Sequence, residues 1–130
     1  MDVSLTEEQI YASLGEEGFT HLVASFYRQV AGDDILGPLY PRNDLPGAEF
    51  RLREFLIQRF GGPGRYSAAR GHPRLRMRHA PFKVDFHARN RWMELMEKAM
   101  VEAELPENVV ALLRPYFANT ATGMINHLSG

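Results

Sequence analysis

With 130 residues, 45% of them hydrophobic and 24% charged, the chain has the length of one ordinary domain and the apolar content to build a core, which excludes a disordered polymer. No apolar run approaches the ~20 residues that a membrane-spanning helix needs, and the absence of cysteine excludes disulfides, thiolate nucleophiles, iron–sulfur clusters and thiolate-held zinc. The net charge of −1 conceals a basic block: residues 65–91 carry eight basic side chains against one acidic, between flanks in which acidic residues dominate.

The opening MDVSLTEEQI is acidic and lacks the basic and apolar regions of a secretory leader, so the cytoplasm is the expected compartment. Thr6 with Gln9 three residues on reads as a capping box, opening a short helix that Gly15 closes. The organisation expected is a single domain over 1–130, with 1–14 as an N-terminal extension or short first helix. After Gly18, apolar residues recur at Phe19, Leu22, Val23, Phe26, Tyr27 and Val30, the steps of three and four that mark an amphipathic helix with one buried stripe. Gly32-Asp33-Asp34 ends it, and Ile35 to Tyr40 reads as one short turn before the loop PRNDLPG.

A second helix is expected from Gly47 to Phe60, with Leu52, Phe55, Leu56 and Phe60 on one side, halted by Gly61-Gly62-Pro63-Gly64. Residues 61–72 contain almost nothing apolar and read as a loop of about a dozen residues, long enough to suggest a functional segment. Pro73 to His79 can form a short helix that Pro81 stops. Asp85 caps a third long helix carrying Trp92, Leu95, Met96, Ala99 and Met100 on its stripe. Pro106 suits the first position of a last helix with Val109, Leu112, Leu113, Tyr116, Phe117, Met124 and Leu128, which Pro115 should bend. Period-two alternation is missing, so the fold class expected is all-α. Three long helices around the central loop could enclose a pocket.

The run Gly61-Gly62-Pro63, then Tyr66, then RGHPRLRMRHAPF from Arg70 to Phe82, resembles the segment that carries the proximal histidine of group II truncated haemoglobins. The likeness extends to FYRQV at Phe26 to Val30, LYPRNDLPGAE at Leu39 to Glu49, and Trp92, and so covers about residues 10 to 125. It implies a two-over-two globin sandwich around haem b. His79 falls where that family places its iron ligand, a role that suits a neutral imidazole nitrogen. His21, His72, His87 and His127 match no ligand position and read as surface or packing residues.

On the distal side the resemblance places Tyr27, Tyr40 and Trp92, three side chains able to donate hydrogen bonds to a bound ligand. From residue type alone, a packed core aromatic is the commoner reading of Tyr27 and a credible one of Trp92. Ala48 and Leu52, one helical turn apart, would line the same side, with Ala48 where ordinary globins carry a bulky polar residue. Tyr66, Arg70 and Arg78 match positions that contact the haem propionates, which arginine binds with charge-assisted hydrogen bonds. Phe55, Met77 and Phe82 are expected as apolar haem neighbours or core residues. Arg65, Arg74, Arg76, Arg89 and Arg91 exceed what two propionates need, and read as a solvated face or a docking site for an acidic redox partner.

The function this implies is binding of O2, CO and NO at ferrous haem iron, with oxidation of NO or reaction with peroxide rather than oxygen transport, and with a reductase as partner. A monomer and a homodimer are both compatible with the sequence, and neither nucleic acid nor membrane is an expected partner. The competing reading is a haem-free basic module for nucleic acid or an acidic protein, which predicts steeply salt-dependent binding.

Overall fold

The computed structural model describes residues 5–40, 43–79 and 83–126, with the side chain of Arg76 outside that description. The described residues form helices α1 (Ile10–Val30), α2 (Leu45–Arg59), α3 (Arg65–Arg70), α4 (Leu75–His79), α5 (Phe86–Glu102) and α6 (Glu107–Gly123), with 3-10 turns at Glu7–Gln9 and Gly37–Leu39. Helix α1 packs on both α2 and α5, and α5 packs on α6, which pairs the four long helices as the two-over-two expectation requires. Among the described residues no helix is long and apolar enough to cross a membrane.

The local rules explain most of the boundaries. The Thr6–Gln9 box forms, with the Thr6 amide donating to Gln9 Oε1 at 3.0 Å. Gly15 closes the short first helix as expected, leaving the helical path at φ 72° and ψ 170°; a second helical run follows directly to Val30, and the two together make the kinked α1. Asp44 and Asp85 cap α2 and α5 by accepting the amides of Gly47 and Ala88 at 3.2 and 2.9 Å. Pro106 sits one position earlier than expected, as the N-cap, where its carbonyl accepts the Val109 and Val110 amides. Helix α6 continues through Pro115.

The expected central loop is half wrong. Residues 65–70 fold into α3, because Tyr66 supplies the one large apolar anchor of the segment and is buried against Phe55 of α2, ring centroids 5.6 Å apart. Gly61 explains the sharp turn before it: at φ +99° it passes so close to the N-terminal turn that a Cβ would stand 1.9 Å from the Glu8 carbonyl oxygen.

The core follows the helical stripes. Phe19, Leu22, Val23, Phe26 and Val30 of α1 are fully buried, as are Phe60, Met96, Ala99, Val109 and Leu113. Burying each large side chain contributes about 1.5–3 kcal/mol before the entropy of ordering it is counted. Aromatic contacts cross the core from Phe60 through Tyr116, Phe117 and Trp92 to Phe26 and Tyr27, with successive centroids 5.0 to 5.8 Å apart. The expectations for Pro81, Phe82, His127 and Leu128 lie outside the described residues.

Candidate functional site: a histidine on a short helix and a cluster of aromatic donors

His79 ends α4, a helix of five residues. Its ring is half-buried, and Nδ1 lies 2.7 Å from the Leu75 carbonyl oxygen. A carbonyl only accepts, so Nδ1 carries a proton, and in the neutral ring that a metal needs the lone pair is on Nε2, for which no protein hydrogen bond is seen among the described residues. This is how proteins orient a metal-ligating imidazole: the second nitrogen is tied to the backbone, which sets both tautomer and ring direction. The end of α4 is held from the far side of the chain by Asn126. Its Nδ2 donates to the His79 carbonyl at 3.4 Å, and its Oδ1 accepts the Val84 amide at 2.8 Å. Nothing in sequence patterning marks Asn126, whose partners are 42 and 47 residues away.

Three aromatic side chains meet from three segments. Tyr27 of α1 is 5% exposed and stands edge-on to Tyr40, which caps the Gly37–Leu39 turn, with ring centroids 5.5 Å apart. Trp92 of α5 is half-buried, 5.3 Å from Phe26 and 5.5 Å from Phe117. The Tyr27 hydroxyl and the Trp92 indole N–H are the polar neighbours of the Tyr40 hydroxyl, and an indole N–H can only donate. Burial pushes the Tyr40 phenol up to about 12, with the Trp92 and Tyr27 contacts pulling against the rise. Burial, reinforced by the neighbouring Tyr40, holds the Tyr27 phenol still further above its ordinary value. Both hydroxyls therefore keep their protons at neutral pH and remain donors.

On α2, Ala48 is buried and Leu52 half-buried. Tyr66 is buried, with the guanidinium groups of Arg70 and Arg78 each 5.9 Å from its ring centroid. The structure thus brings Tyr66, Arg70, Arg78 and Phe55 together. Arg78 is engaged in a way its sequence position did not suggest: Nε donates to the Pro73 carbonyl at 2.7 Å, and a terminal nitrogen donates to Arg70 and His72 carbonyls at 2.9 and 3.4 Å. It braces the link between α3 and α4. Met77 is 60% exposed rather than packed. His21, His72 and His87 are exposed, in keeping with surface roles.

The basic block is not one free cationic face. Arg65 pairs with Glu16 at 2.6 Å and with Glu54 at 2.8 Å. Arg91 pairs with Asp33 at 2.5 Å, Asp34 at 3.1 Å and Glu94 at 3.6 Å. Arg89 donates to Thr122 and Asn90. Acidic residues from the flanks pair with Arg65 and Arg91, two of the block's eight basic side chains, an outcome that charge counting along the chain cannot show. This internal pairing does not favour a nucleic-acid-binding module.

Comparison with known proteins agrees with the geometry. Residues 9–126 match a family model described as bacterial-like globin. The group 2 truncated haemoglobin YjbI of Bacillus subtilis (strain 168) is 35% identical over 116 residues, covering 89% of this chain and 87% of its own. A thermostable haemoglobin from the actinobacterium Thermobifida fusca superposes with a TM-score of 0.86 at 46% identity, covering 89% of this chain and 95% of that one. A truncated oxygen-avid haemoglobin from Bacillus subtilis gives 0.85 at 35% identity, covering 89% and 98%. With helix order, superposition and sequence all in agreement, the chain belongs to the bacterial-like globin family, as a group II truncated haemoglobin.

Proposed function

We propose that this globin binds haem b through His79 and uses it to hold O2 for redox chemistry, either oxidation of NO or reaction with peroxide, in preference to delivering oxygen. Globin membership implies a haem, and the residues present fit one. The His79 Nδ1 is tied to the Leu75 carbonyl, which leaves Nε2 available for the iron. Two arginines flank a buried tyrosine, a donor set suited to the two propionates. Ferrous haem with a single imidazole ligand supplies an open coordination position for O2, CO or NO.

The observation that carries the reading is the convergence of Tyr27, Tyr40 and Trp92. In this reading Trp92 and Tyr27 donate to the Tyr40 oxygen, and its own hydrogen is the one left for a bound ligand. Tyr27 and Trp92 then act on Tyr40, orienting its hydroxyl and making it a stronger donor through cooperative polarisation. Fixed donors in a dry site favour ligands that gather negative charge, as O2 and peroxide do, over apolar CO. Tight holding of O2 opposes unloading, which is why reaction is preferred here to transport. The description of a Bacillus subtilis relative as oxygen-avid supports the same view. A reductase would have to supply electrons, and an acidic one would suit the exposed Arg70 and Arg74.

The test is direct. Purified protein should show a haem absorption spectrum that His79→Ala weakens or abolishes and external imidazole partly restores. Stopped-flow mixing of the O2-saturated protein with NO should yield nitrate faster than O2 dissociates. A colourless protein that takes up no added haemin, or a His79→Ala variant with unaltered haem binding, overturns the proposal.

A further inference from the structure

Tyr27, Tyr40 and Trp92 come from three separate segments, and one ion pair ties two of those segments together. Asp33 follows the end of α1, and its side chain is only 8% exposed. One carboxylate oxygen, Oδ2, accepts the Ile35 and Leu36 amides at 3.0 and 2.7 Å, while Oδ1 accepts Arg91 at 2.5 Å. From Leu36 the backbone carries this order onward. The Leu36 carbonyl accepts the Leu39 amide at 2.9 Å, and the Gly37 carbonyl accepts the Tyr40 amide at 3.2 Å. The Leu36 side chain is itself buried. Asp33 therefore directs the path of the turn that ends on Tyr40. At the other end of the ion pair, Arg91 is the residue immediately before Trp92 on α5.

The pair differs from the other long-range pairs of α5. Arg114–Glu97 and Arg28–Glu102 expose at least a third of both side chains, whereas Asp33 is nearly enclosed and also caps a turn. Arg91 faces two further carboxylates, Asp34 and Glu94, so its charge is held from three sides.

We propose that Asp33 and Arg91 are positioning residues for the distal cluster, the ion pair fixing how Tyr40 sits against Trp92. The inference rests on the distal role given to that cluster above, and deepens it by naming what holds the cluster in register. A donor displaced by a fraction of an ångström loses much of its effect on a bound ligand, so a clamp between the two segments has leverage on ligand release.

Trp92 is the only tryptophan, so the protein gives one indole N–H resonance, which reports the contact with Tyr40 without any activity measurement. The spectrum would be recorded on purified protein reduced under carbon monoxide, with the visible absorption of the same samples reporting haem content separately. Asp33→Asn and Arg91→Ala should both shift the indole resonance and speed O2 release by about fivefold or more. Arg91→Lys, which keeps the charge, should fall between Arg91→Ala and the native protein. Arg114→Ala removes an ion pair from the same helix and should change neither reading. Should Arg91→Ala fail to fold, Asp33→Asn and Arg91→Lys decide the matter. Native indole shifts and native release rates in Asp33→Asn and Arg91→Ala overturn the proposal, and so does an Arg114→Ala effect of equal size. A native protein without a haem spectrum would instead count against the haem reading, and the indole shifts of the variants would still decide this proposal.

Discussion

Replacing Tyr40 by phenylalanine should be the most damaging single change to O2 retention. In the arrangement proposed above, Trp92 and Tyr27 donate to the Tyr40 oxygen, which leaves its own hydrogen as the donor to a bound ligand. Tyr40→Phe deletes that donor and removes the acceptor that the other two share. A hydrogen bond to a group carrying partial charge is worth about 1.5–3 kcal/mol, and 1.4 kcal/mol is a factor of ten. Release of O2 should therefore accelerate by roughly 10- to 100-fold. Tyr27→Phe keeps the Tyr40 donor and loses only its support, so it should speed release by about two- to fivefold. The two changes touch one network, and their effects in the double variant should fail to add. Displacement of O2 by excess CO in a stopped-flow instrument measures all four rates. A Tyr40→Phe variant with native release, or a Tyr27→Phe effect larger than that of Tyr40→Phe, refutes the assignment of Tyr40 as the terminal donor.

Three further outcomes follow from the scaffold. Gly61→Ala places a methyl 1.9 Å from the Glu8 carbonyl at a φ of +99°, and should destabilise the fold by about 2–4 kcal/mol in urea titration. A native urea midpoint would mean that the N-terminal turn is not held against Gly61. Arg65→Ala leaves the Glu54 carboxylate, 10% exposed, without its closest cation. Because Arg65 is itself 42% exposed, the cost should be about 1–2 kcal/mol, below that of a fully buried pair, and Arg65→Ala with Glu54→Gln should recover part of it. Burial raises the Asp33 carboxyl, but the Leu36 amide, Arg91 and the Ile35 amide together bring it below its ordinary value of 3.8. Its folded value is depressed, so its contribution to stability is complete above about pH 4 and is lost as pH falls through the folded value. Asp33→Asn should flatten that acid limb of a stability–pH curve while lowering stability at neutral pH, and an unchanged acid limb would contradict the assignment.

Much of this protein was written along the chain. The stripe of Phe19, Leu22, Val23, Phe26, Tyr27 and Val30 needs only the helical period to declare its buried face, and all six are buried. The caps at Asp85 and Thr6 are short-range hydrogen bonds between residues three apart, so their residue types suffice to announce them. His79 stands out through the motif around it, and the structure adds the tautomer by setting Nδ1 against Leu75.

The rest depends on neighbours brought from far away. The short helix α3 forms in a stretch with almost no apolar residues because Phe55, on another helix, offers Tyr66 a place to pack. The basic block reads as one cationic segment along the chain, yet Arg65 and Arg91 find carboxylates 11 to 58 residues distant, and Arg78 turns back onto carbonyls. Tyr27, Tyr40 and Trp92 can be singled out one by one, but which of them donates and which accepts is decided where three segments meet. Periodicity and caps are local, and the sequence by itself determined them. Long-range charge pairing and the direction of a hydrogen bond depend on the space between helices, and only the tertiary structure decided those.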